Sequence, residues 1–183
     1  MNRYQVIYAD PPYRYQRKNV QGAAENHYPT MSVEELKALP VKALADKDCA
    51  LFLWITFPLL QEAWGIMEAW GFQYKTAAFV WLKVNRRADS LFYGLGWWTR
   101  SNAEICLLAT KGSPKRQAND VHQVIISRIE AHSKKPDIAR RRIEALMGDV
   151  PRVELFARQE APGWDVWGHE VYNSFDMEDY HGN

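Results

Sequence analysis

Apolar positions along this chain come in short blocks that switch between two periods. Residues 4–9, Tyr-Gln-Val-Ile-Tyr-Ala, form an apolar run of strand length. Residues 14–30 are polar, rich in Gln, Asn and Arg, and carry Gly22 and Pro29, so they read as a mobile loop. Ser32 and Glu35 stand at capping-box spacing, with Met31 and Leu36 at the staple positions, which predicts a helix over 33–39. Residues 49–56 are continuously apolar, as in a strand covered on both faces. Pro58 then opens a helix with Leu59, Leu60, Ala63, Met67 and Trp70 along one side, and Gly71 stops it.

Strands are predicted at 74–82, 104–110 and 152–157, with 113–122 irregular and 123–129 extended. Pro136 begins a helix in which Ile138, Ile143, Leu146 and Met147 make a buried stripe. Apolar strands alternating with amphipathic helices argue for an α/β fold built as a three-layer sheet. Ligands in such sheets bind beyond the C-terminal strand ends. Asp10, Lys83 and Arg158 fall near such ends if their strands are parallel. No repeat or low-complexity tract is present. Neither Gly-x-Gly-x-x-Gly nor Gly-x-x-x-x-Gly-Lys occurs, which argues against the common dinucleotide and P-loop sites.

Composition narrows the picture. The 183 residues suit one packed domain and are short for two. Eight tryptophans and nine tyrosines exceed usual aromatic use, a weak pointer to stacking because aromatics also fill cores. The formal charge is +1, unevenly spread: Glu170, Asp176, Glu178 and Asp179 lie in a stretch without Lys or Arg, and setting them aside leaves the body at +5. Such a body suits a polyanion without demanding one. Cys49 and Cys106 sit in apolar runs and read as buried thiols, so a reducing compartment fits. The cysteines and five histidines never reach zinc-ligand spacing, and no metal is expected. Residue 1 runs almost directly into a strand, and no apolar run approaches a membrane span, so a cytoplasmic protein with no membrane contact is expected.

Candidate chemistry starts at Asp10-Pro11-Pro12-Tyr13, where the first strand gives way to a loop. The prolines fix φ and remove two backbone donors, and each disfavours helix at the residue before it. A stiff loop with a carboxylate and open carbonyls suits a donor-rich group such as an exocyclic amine, with Tyr13 available to lie over a flat ring. Asp-Pro-Pro is also an ordinary turn sequence.

The rest of the chain decides between these. Ala-Asp-Pro-Pro-Tyr (9–13), Tyr-Pro-Thr-Met-Ser (28–32), Leu-Phe-Leu-Trp-Ile-Thr (51–56), Trp-Gly-Phe (70–72), Trp-Leu-Lys-Val-Asn-Arg (81–86) and Gly-Trp-Trp-Thr-Arg-Ser-Asn-Ala-Glu (96–104) follow one another. After them come Lys-Gly-Ser-Pro (111–114), His-Ser-Lys-Lys-Pro-Asp (132–137), Val-Glu-Leu-Phe-Ala-Arg (153–158) and Gly-Trp-Asp-Val-Trp-Gly-His-Glu (163–170). In this order they resemble the adenine-N6 methyltransferase family named after the catalytic subunit of the mRNA adenosine methyltransferase, and its compact phage and bacterial members above all.

The resemblance implies a Rossmann-like fold dependent on S-adenosylmethionine, with the catalytic block ahead of the main cofactor block. It implies that Asp10 and the Pro11 carbonyl accept from the adenine amine within the block Asp10, Pro11, Pro12 and Tyr13, with Tyr13 stacked near the target ring. Asp10 and Lys135 would meet the cofactor, Lys135 at its methionine carboxylate, and Phe156, Arg158, His169 and Glu170 would hold its adenosine half. Tyr28, Lys83, Trp98 and Glu104 would line the substrate pocket. Three departures stand out: Tyr13 replaces the Trp of the best-known members, His169 replaces an Asn, and the chain starts at the catalytic strand, so a cofactor-contacting acid upstream in larger relatives would need a substitute or a partner.

Adenine N6 is a poor nucleophile because its lone pair is delocalised. Acceptors at Asp10 and Pro11 would localise that pair toward the incoming methyl, without metal or covalent intermediate. The expected activity is site-specific DNA adenine-N6 methylation by a domain over 1–170, followed by an acidic tail over 171–183. RNA as substrate, or a silent nucleic-acid-binding subunit of a methyltransferase complex, are the alternatives, with homo- or hetero-oligomers open. Arg86, Arg87, Lys111, Lys115, Arg116, Arg128, Lys134 and Arg140–Arg142 supply candidate phosphate contacts, diluted by neighbouring acids.

Overall fold

The first apolar run, Tyr4–Ala9, forms β1, and its alternating side chains feed two different cores. A computed structural model describes residues 3–14, 29–96, 98–131 and 133–181. After β1 come α1 (Val33–Ala38), α2 (Val41–Leu44), β2 (Ala45–Ile55), a 3-10 turn (Phe57–Leu59) and α3 (Leu60–Ala69). Then follow β3 (Gln73–Val84), β4 (Glu104–Lys111), β5 (Val124–Arg128), α4 (Ile138–Met147), β6 (Arg152–Leu155), β7 (Asp165–Trp167) and a second 3-10 turn (Met177–Tyr180).

The seven strands form one sheet in the order β5-β3-β4-β2-β1-β6-β7. β1 pairs in parallel with β2 and β6, β3 with β5, and β6 with β7. β4 runs against both its neighbours, β2 and β3. The start of β4 therefore lies on the same rim as the C-terminal ends of the other strands.

Helices cover both faces, as the alternation of apolar blocks requires. On one face Ile7, Leu51 and Leu53 meet Leu36, Leu44, Ala63 and Ile66 of α1–α3. On the other, Val6, Tyr8, Phe52 and Phe79 meet Ala139 and Ile143 of α4. The capping box of α1 is present: Ser32 Oγ accepts from the Glu35 amide at 3.2 Å, and the Glu35 carboxylate accepts from the Ser32 amide at 2.7 Å. Gly71, at φ 82, ends the α3 segment after Trp70, whose indole donates to the Leu36 carbonyl at 2.8 Å.

Three features depart from the expectation. The helix begun at Pro58 opens with the 3-10 turn before α3. β2 starts at Ala45, through the polar Asp46-Lys47-Asp48, and the short α2 and β7 carried no period long enough to see. The acidic stretch after Glu170 reaches back to the fold, burying Met177 and Tyr180 against the α1–α3 face.

Candidate active site

Parity along β1 sets the site. Val6 and Tyr8 face α4, and Asp10, two residues on, continues toward the same side, where the chain enters α4 through Lys135. The Lys135 ammonium lies 2.9 Å from Asp10 Oδ2 and 3.1 Å from Glu104 Oε2. Glu104 also pairs with the Lys83 ammonium through its other oxygen. Four residues from β1, β3, β4 and the approach to α4 thus form one alternating ionic chain at the rim. The Trp54 ring floors it, 5.7 Å from the Lys135 ammonium, and the Trp54 indole donates to the Tyr8 hydroxyl at 2.7 Å.

Burial governs the charges. It raises the Asp10 carboxyl above its usual range; Lys135 opposes that and Glu104 adds to it. Burial pulls Glu104 upward as well, but Lys135 and Lys83 prevail and hold its carboxyl low. Burial would lower Lys135, yet its two carboxylate neighbours keep the ammonium strongly protonated. Deeper in, Glu154 of β6 meets Arg140 of α4 at 3.0 Å, and burial pushes its carboxyl up to about 7.

The Pro-Pro loop is more engaged than expected. The Tyr13 amide donates to the Pro11 carbonyl at 2.9 Å, and the Met31 amide donates to Pro12 at 2.8 Å. Each of the two carbonyls thus already accepts one backbone hydrogen bond and keeps a second lone pair. Tyr13 is buried in the α1–α3 core, and its hydroxyl donates to the Trp54 carbonyl at 2.9 Å.

A cleft of about 200 Å³ opens beside this chain of charges, lined among others by Asp10, Lys135, Phe156, Arg158 and Glu170. Its two left-handed residues without a glycine's freedom are Ser133 (φ 57) and Phe156 (φ 63). Such backbone strain gathers at ligand sites. Leu155 and Phe156 pack in the same core cluster, so the alternation of β6 breaks there and the strand ends. Arg158 pairs with Glu170 at 2.9 Å. Gly168 allows this: a Cβ there would run into the Ala157 carbonyl oxygen and stand 2.7 Å from the Ala157 nitrogen.

The family model for MT-A70 matches residues 4–170. The chain belongs to the MT-A70 family. It is 34% identical to the "Type II methyltransferase M.MunI" of a Mycoplasma species, across 92% of this chain and 78% of that protein. It is 30% identical to the "N(6)-adenosine-methyltransferase MT-A70-like protein" of Drosophila melanogaster and 28% identical to the human "N(6)-adenosine-methyltransferase catalytic subunit METTL3". In each of these two it matches 93% of its own length, but spans only 27% and 29% of theirs.

The MT-A70 fold is thus a Rossmann-like sheet with the Asp-Pro-Pro strand ahead of β6, whose Glu154 lines the cleft, and of β7 at the sheet edge. Of the residues singled out in the sequence, Asp10, Lys83, Glu104 and Lys135 meet in one ionic chain, and Phe156, Arg158 and Glu170 line the adjoining cleft. His169 is exposed, its ring 6.5 Å from that of Trp167. Trp98 does not line the cleft but stands clear of it, 99% exposed. Tyr28 lies outside the described residues. Sequence reasoning missed Tyr8, Trp54 and Glu154, which support the site from the α4 side, and it offered Arg140 as a phosphate contact although that side chain is buried against Glu154. The only available signal was parity with Asp10 along β1 and the neighbouring strands.

Proposed function

We propose that this MT-A70 chain transfers a methyl group from S-adenosylmethionine to N6 of adenine in DNA. The observation that carries the reading is the Asp10–Lys135–Glu104 ionic chain, which sets the Asp-Pro-Pro loop against a cleft of cofactor chemistry. The donor set fits the cofactor: a buried ammonium for its carboxylate, an aromatic wall at Phe156, and a guanidinium–carboxylate pair for its polar nucleoside half. When bound, S-adenosylmethionine supplies an electrophilic sulfonium methyl group.

The residues do the rest. Asp10 and the Pro11 carbonyl accept from the amine, turning its lone pair out of conjugation and fixing its line of attack. Lys135 holds Asp10 through one oxygen only, which leaves the other to the amine. A carboxyl raised by burial takes the N6 proton once nitrogen has gained the methyl and become acidic. Trp54 and Tyr13 keep the loop from shifting under this load.

DNA is favoured over RNA because the Mycoplasma type II methyltransferase is matched over 78% of its length, whereas the Drosophila and human adenosine methyltransferases are matched over under a third of theirs. The test is transfer of labelled methyl to matched single- and double-stranded DNA and RNA, with Asp10→Ala alongside. N6-methyladenine in DNA, lost at least about 100-fold in the variant, is the expected result. Preference for RNA would replace the substrate. A folded wild type that neither binds cofactor nor transfers methyl would sink the reading in favour of a silent subunit.

A further inference from the structure

The loop joining β3 to β4 leaves the site at Lys83 and returns to it at Glu104, so both its roots belong to the ionic chain. It is braced from within. Asn102 receives the Lys83 amide at 3.0 Å and donates to the Lys83 carbonyl at 2.8 Å. The Phe92 amide donates to the same carbonyl at 2.8 Å, and the Gly94 amide to Ser101 at 2.7 Å. Arg100 donates to the Gly94 carbonyl at 2.9 Å and to that of Tyr93 at 3.3 Å.

A loop so firmly bonded to itself has no need to leave large apolar groups outside, yet it does. Tyr93 is 54% exposed, Leu95 93% and Trp98 99%. Single exposed apolar residues are ordinary, but aromatic and apolar residues gathered on one loop at a ligand rim mark an interaction surface. Its charge names the partner. Arg86, Arg87 and Arg100 are exposed, and the one acid of the loop, Asp89, is already paired with Arg128. Aromatic faces interleaved with guanidinium groups are the chemistry of single-stranded nucleic acid, where bases stack and phosphates are neutralised.

We propose that Tyr93 and Trp98 form a stacking platform for the bases that flank the target adenine, outside the pocket that takes the target itself. The proposal rests on the methyltransferase reading and deepens it: the loop would hold the strand open next to Asp10, offsetting the stacking lost when the target leaves its neighbours.

The test measures binding of a short fluorescein-labelled DNA strand carrying one adenine, and of the same strand with abasic units on either side of it. Wild type and the Tyr93→Ala/Trp98→Ala double variant are compared, without cofactor. Wild type should lose about fivefold or more in affinity on the abasic strand. The variant should show about that loss already on the intact strand and be indifferent to the abasic units. A variant that binds the intact strand as tightly as wild type, or a wild type that binds neither strand, overturns the platform. So does equal sensitivity of both proteins to the abasic units. A wild-type dimer made monomeric by the substitutions, with strand binding unchanged, assigns the loop to a second copy and likewise overturns it. Methyl transfer to the intact strand, followed in parallel, reports on the proposed activity separately, because the binding comparison requires no turnover.

Discussion

Glu154 is the residue whose environment makes the sharpest claim. It sits on β6 opposite Tyr8, paired with Arg140, and burial lifts its carboxyl from 4.5 to about 7. Between those values the folded chain keeps a proton that the unfolded chain has released, so stability falls as pH rises through that window and the loss is complete above about 7. Glu154→Gln should abolish this slope, closing a difference of roughly 3 kcal/mol between about pH 5 and about pH 8 in urea unfolding. Parallel stability curves for the two proteins would contradict it. The sequence pointed to Asp10, Lys135, Lys83 and Glu104 through motifs. It gave Glu154 no role and read Arg140 as a candidate phosphate contact, whereas Arg140 is buried and pairs with Glu154 and Asp137 once α4 lies across β6. Trp54 and Trp70 are core residues, yet Trp54 also floors the site, while Trp64 of α3 is 46% exposed. Apolarity alone does not tell a core ring from one that also touches a charge.

Among the elements, β7 runs close beside the chain that follows β6, and the two backbones approach tightly at Gly168. The Ala157 amide donates to the Trp167 carbonyl at 3.0 Å, and the Gly168 amide to the Asn173 side chain at 2.8 Å. Two backbones meet where only a hydrogen fits. Gly168→Ala should therefore destabilise the fold by about 1–3 kcal/mol, through overpacking against backbone that has nowhere to go. Thermal unfolding would read this, and an unchanged midpoint would show that the approach has slack. The three residues of β7 were too few to show a period, although Gly-x-x-x-x-Gly at 163–168 bracketed them. The longer elements were legible because their apolar runs match the layer they occupy, as in β2 from Cys49 to Ile55. Strand direction was not. Nothing in Glu104–Lys111 distinguishes an antiparallel strand from a parallel one, because a period of two is the same read either way.

At the scale of the molecule, one rim gathers the site, the braced loop and much of the positive charge near it. Binding to DNA should weaken steeply with salt as counterions return to the phosphates. Arg87→Ala should lower the log–log slope by about 0.7 on single strands if that side chain neutralises one phosphate. An unaltered slope would remove Arg87 from the contact set. Among the described residues no helix is long and apolar enough to cross a membrane. The reversed direction of β4 also divides labour within the chain. Because β3 and β4 are neighbours held by a ladder from Gln73 to Trp81, the segment between them begins and ends on adjacent strands and adds, among the described residues, only the bridge of Leu91 to Val84. If Tyr93 and Trp98 carry the flanking bases, a different insert between the same two strands changes how the strand is held while the methylating centre beneath it stays the same.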